Sequence, residues 1–158
     1  MALGKAARRP LVDFLEGVTV DANPSAQYRL KVARGFLTEA IENLAAGQWR
    51  ACVEHSQLSV ENAAKTALAL LGPVPRTHDP GATLHRALEL GRFPESIRPE
   101  VETLLALAGQ LGADIHIAIS YGEEETLRTP WELFDEADAT KAVEFATEAC
   151  RMAEQLMR

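Results

Sequence analysis

Apolar residues recur at steps of three and four over most of the chain, the spacing that places them on one side of an α-helix. The first such stripe runs Leu30, Ala33, Leu37, Ala40, Ile41 and Leu44. It opens behind Asn23 and Pro24, a side chain that accepts from free first-turn amides followed by a residue with a preset φ, and closes at Gly47. A second stripe, Val53, Val60, Ala64, Ala67, Leu68 and Leu71, ends at Gly72 and Pro73. The short Ala46 to Trp49 connection predicts an antiparallel pair. Asp79 and Pro80 start a brief third helix through Leu84 and Leu88 to Gly91. After Pro99 two patterns compete: Ile115, Ile117 and Ile119 alternate like a strand, while Leu104, Ala108, Leu111, Ile115, Ala118 and Ile119 form a helical stripe. The helix reading is preferred, because the stripe extends over some four turns and a lone strand would find no partner elsewhere. Thr129, Pro130 and Glu132 form a capping box, and Ala139, Ala142, Val143, Ala146, Ala149, Cys150, Ala153 and Leu156 complete a final helix behind it. The expected architecture is all-α, an up-down helical bundle of four to five helices over residues 25–158. Residues 1–24, with only the short apolar stretch Leu11 to Leu15, read as an N-terminal extension.

Composition narrows the class. With 158 residues, 47% hydrophobic and 25% charged, the chain has the balance of one ordinary globular domain, and bulk disorder is ruled out. Sixteen basic against 23 acidic residues leave a net charge of -7, which opposes non-specific binding to DNA. No apolar run long enough to cross a bilayer is read from the pattern, nor a signal-peptide core after Lys5, Arg8 and Arg9, so no membrane association and a cytoplasmic location are expected. Cys52 and Cys150 lie on apolar stripes without CxxC spacing and are expected to be reduced core thiols.

Recognisable chemistry is sparse. None of His55, His78, His85 and His116 has a Glu three residues before it, which sets aside the di-iron bundles. Gly-rich phosphate loops, nucleophile elbows and zinc spacings do not occur, and neither metal nor cofactor is expected. A phosphotransfer role for His55 lacks the Lys such bundles keep close behind the histidine, since Ser56, Gln57 and Leu58 follow it. Gln57, Glu61 and Lys65, spaced by four, share one helix face, with Glu61 placed to pair with Lys65. On spacing alone this is a solvated face carrying an ion pair that adds about 0.2–0.5 kcal/mol.

The same residues carry a resemblance. Ala33, Leu37, Ala40 and Leu44, then Gly47, Gln48 and Trp49, then Gln57, Glu61, Lys65, Ala67 and Leu68 resemble the first helix pair of the HEPN domain family. Thr77, His78 and Asp79 match its Thr-His-Asp element before a short helix, and Tyr121 and the Ala-rich stretch from Ala139 to Met157 continue the likeness. Ser120 and Gly122 stand where members commonly have the Arg and Pro of Arg-Tyr-Pro, which removes a family anion contact.

The resemblance implies a small bundle that forms a homodimer and is often encoded beside a minimal nucleotidyltransferase in a two-component, toxin-antitoxin-like system. It makes Gln57, Glu61, Lys65, His78, Asp79 and Tyr121 the ligand-binding candidates for a nucleotide or a partner protein, with Tyr121 free to stack on a base. Some branches are metal-independent ribonucleases in which an Arg precedes a His by four to six residues. Arg50 and His55 have that spacing and are the alternative catalytic pair, with His as base and Arg as cation toward RNA. Against this, Ala51 replaces the usual polar neighbour, the pair falls early in the second helix, and residues five apart on a continuous helix point about 140° apart. A ligand-free structural dimer is the third reading.

Overall fold

The computed structural model describes residues 23–158; of the N-terminal extension expected over residues 1–24, residues 1–22 lie outside them. The described residues are helical, with no strand and a single isolated antiparallel bridge between Glu123 and Arg128. The helices are α1 (Pro24–Ala45), α2 (Trp49–Ala69), α3 (Pro80–Glu89), α4 (Arg98–Gln110), α5 (Ala113–Tyr121), α6 (Pro130–Leu133) and α7 (Glu136–Leu156).

α1 begins where Asn23 accepts from the amide of Ala26 at 3.0 Å. It ends through Gly47, whose φ of +69° lets its amide and that of Gln48 reach back to Leu44 and Asn43. α1 and α2 form the expected antiparallel pair, and α7 packs against both. α2 is the axis of the molecule: every residue from Ser59 to Leu70 is buried, because α1, α3, α4, α5, α6 and α7 all pack on it. Ala33, Ala63, Ala67, Ala142, Ala146 and Ala149 are buried at these contacts, and side chains that small let the helices approach closely. Ser59 fastens the three together, donating to the Ala33 carbonyl at 2.8 Å and lying 3.4 Å from Cys150 Sγ. Both cysteines are free and buried, and burial pushes both thiols up.

The structure corrects the sequence reading in four places. Ile41, expected on the α1 stripe, is exposed. The stripe from Leu104 to Ile119 is broken into α4 and α5 at Leu111 and Gly112, where the backbone leaves helical geometry (Leu111 ψ 51°, Gly112 ψ -155°). The span Arg98–Tyr121, 24 residues, is by length and composition apolar enough to cross a membrane, contrary to the expectation of no such run. The break leaves α4 with 13 residues, about 20 Å of helix against a hydrocarbon core of about 30 Å. Finally, the Thr129 capping box starts only the single turn α6. Phe134 then extends, and a second box, Asp135 with Asp138, starts α7.

Candidate functional site

Spacing by four brings Gln57, Glu61 and Lys65 onto one face of α2, and that face is closed over: the three residues are 2%, 5% and 7% exposed. A solvated face is therefore excluded. Lys65 Nζ donates to Glu61 Oε1 at 2.8 Å, and Gln57 Nε2 approaches Glu61 Oε2 at 3.4 Å. The loop after α2 returns His78 to the same carboxylate, Nδ1 to Oε2 3.5 Å. His78 itself is mostly exposed and lies parallel to His116 of α5, with ring centroids 5.2 Å apart. Asp79 ends that loop; its amide donates to Thr77 Oγ1 at 2.9 Å.

Five of the six candidates thus meet. Gln57, Glu61, His78 and Asp79, together with Gly112, line a cavity of only about 10 Å³, the lower limit for one water, and Lys65 closes the row behind Glu61. A nucleotide does not fit there. Among the described residues no group of three or more His, Cys, Asp or Glu is arranged to hold a metal ion.

Tyr121 belongs to a different place. At the end of α5 it lines an open cleft of about 520 Å³ with Glu123, Glu124, Leu127, Arg128 and Trp131. Tyr121 and Trp131 are each 72% exposed and Leu127 87%. Gly122 (φ +70°) turns the chain out of α5, and the paired backbones of Glu123 and Arg128 close the loop that presents Leu127. Sequence reasoning passed over Leu127, Arg128 and Trp131. Trp131 is the second residue of a capped turn, a position that says nothing of exposure until α6 is seen to stop after four residues.

Arg50 and His55 diverge on the continuous helix α2. Arg50 donates to the Ile119 carbonyl and to Glu54, both at 2.8 Å, and its guanidinium lies 5.5 Å from the Trp131 ring centroid. His55 faces α1, with Nδ1 2.6 Å from Asn43 Oδ1 and Nε2 3.3 Å from Glu39. Their functional nitrogens are committed to opposite neighbours, so within one chain they do not form a base-and-cation pair.

An α-helical bundle built around a buried polar row, with an aromatic cleft at one end, is the class of protein defined so far. The HEPN domain family model matches residues 26–156, and the chain belongs to that family. The fold is similar to that of TT1696 from Thermus thermophilus, with a TM-score of 0.57 and 18% identity over 82% of this chain and 96% of that one. No curated protein matches the chain.

Proposed function

We propose that this HEPN-family chain is a non-catalytic binding module that works through the Tyr121–Trp131 face, and that the partner on that face is a second copy of the chain. The carrying observation is the exposure of three large side chains, Tyr121, Leu127 and Trp131, around one open cleft. Aromatic and Arg side chains are the usual anchors of protein interfaces, and leaving them in water is unfavourable. Charge supports self-association. Glu123, Glu124 and Arg128 all border the cleft, so a second copy docked there brings both signs of charge to the contact. The same acids repel phosphate, which favours a protein over a nucleotide in this cleft.

Light scattering of the wild type and of Trp131→Ala tests the reading. The wild type is expected at twice the chain mass at micromolar concentration, and the variant as a monomer with an unchanged helical spectrum. A wild-type monomer overturns it. Co-expression with a minimal nucleotidyltransferase tests the two-component role that the family resemblance implies; a complex that forms in place of the self-dimer assigns the face to that partner instead.

A further inference from the structure

Arg50 departs from the local rules of its own helix. It is the second residue of α2, at the positive end of the helix dipole, where no acid stands in the first turn and Gln48 makes no side-chain cap. A cation there is unfavourable to α2. What compensates it lies on other elements. At the end of α5 the Gly122 amide donates to the Ala118 carbonyl, but the next amide, of Glu123, donates to the Arg128 carbonyl at 2.9 Å. That leaves the Ile119 carbonyl without the partner a continuing helix would supply. Arg50 Nη1 donates to it at 2.8 Å, which sets the cation at the negative end of α5. The same guanidinium lies 5.5 Å from the ring centroid of Trp131, an exposed side chain carried by the single turn α6. A helix of one turn does not hold its own geometry.

We infer that Arg50 is the positioning residue of the Tyr121–Trp131 face. From α2 it fixes the end of α5, which carries Tyr121, and the ring of Trp131 in one arrangement before a partner docks. The inference rests on the proposed binding role of that face. A guanidinium suits both tasks, since it can donate to a carbonyl while its charge is drawn to an aromatic ring. Nη2, 2.8 Å from Glu54 Oε2, ties the fork back to α2. Holding the two aromatics in place beforehand spares the complex the cost of ordering them on binding.

The full chain labelled with 5-fluorotryptophan tests this. Its two tryptophans are Trp49 and Trp131, so the Trp131 fluorine resonance is assigned from Trp131→Phe. In Arg50→Gln that resonance is expected to move toward the position of the free amino acid. The amides of Tyr121 and Gly122 are expected to exchange about tenfold faster and self-association to weaken about tenfold, while α1 and α7 keep their protection. Glu54→Gln, which removes a charge beside Arg50 but keeps an acceptor for it, is expected to leave the Trp131 resonance in place. A Trp131 resonance unmoved in Arg50→Gln, or moved as far in Glu54→Gln, overturns the inference. So does faster exchange throughout α1 and α7, which would make Arg50 a general support of the fold, and so does a moved resonance with unchanged self-association. A monomeric wild type sinks the self-dimer alone, because the resonance and the exchange are read within one chain and still decide whether Arg50 positions the face.

Discussion

Lys65 Nζ and Glu61 Oε1 lie 2.8 Å apart, one turn along α2, with the side chains of both residues buried. Ion pairs removed from water lose hydration that their mutual attraction only partly returns, so such a pair is kept at the expense of a simpler apolar contact. Gln57 and His78 turn toward the same carboxylate and supply further polar partners. The row joins α2 to the loop that leads into α3.

Removing one member therefore leaves a buried charge without its ionic partner. Glu61→Ala is expected to destabilise the fold by about 3–5 kcal/mol, against the roughly 0.5 kcal/mol of a solvated pair. Replacing both ends, Glu61→Leu with Lys65→Met, is expected to recover most of that loss. Urea denaturation of the three proteins measures it, and a loss near 0.5 kcal/mol for Glu61→Ala would show that water reaches the pair.

The difference between these two magnitudes shows what the sequence could reveal. Periodicity placed Gln57, Glu61 and Lys65 on one face, but which face of α2 met solvent depended on how many neighbours the helix acquired. With helices on every side, polar residues at helical spacing are enclosed, and no local pattern reports that. The helices themselves were legible because caps and stripes agree, as at Asn23, Pro24 and Gly47. The break at Gly112 was not, because Leu111 and Ile115 keep the stripe in phase across it. Tyr121 was found through the family motif, whereas Trp131 became visible only with the exposure of the cleft.

Gly122 carries more than its departure from the family's Pro suggests. Its φ is +70°, and a Cβ there would run into the carbonyl oxygen of Arg128. Gly122→Ala is expected to cost about 1–3 kcal/mol from the backbone conformation alone, with the collision added. Asn tolerates positive φ in the left-handed helical region, but the ψ of -148° at Gly122 lies outside that region and Asn brings the same Cβ, so Gly122→Asn is expected to fail as well. Because the affected backbone is the Glu123–Arg128 bridge that shapes the Tyr121–Trp131 cleft, faster exchange of those two amides should accompany weaker self-association. Hydrogen exchange and light scattering on one preparation check both.

Metal-free incubation with RNA is expected to leave the RNA intact. Arg50 is held by Ile119 and Glu54, and His55 by Asn43 and Glu39, on different sides of α2. Cleavage abolished by both Arg50→Ala and His55→Ala, in variants that keep the wild-type helical spectrum, would establish that a partner copy completes what one chain does not bring together.

Asp135 gives the start of α7 a dependence on pH. Its carboxylate accepts from the amide of Asp138 at 2.9 Å, and that backbone hydrogen bond, foremost among several, holds its pKa below the ordinary carboxylate value. A carboxyl with a lowered pKa in the folded chain binds its proton more readily when unfolded. Its contribution to stability is therefore complete above the unfolded value and is lost as pH falls through the lowered folded one. Glu132 behaves alike at α6, where its carboxylate accepts from the Thr129 amide at 2.9 Å. Asp135→Asn keeps an acceptor at the cap but removes the titrating charge. At neutral pH the wild type is expected to melt above Asp135→Asn, with the gap closing in acid as Asp135 takes up its proton. Thermal unfolding from neutral pH down through the carboxylate range checks the sign; a gap that widens in acid would mean that the carboxylate is strained at this cap rather than held by it.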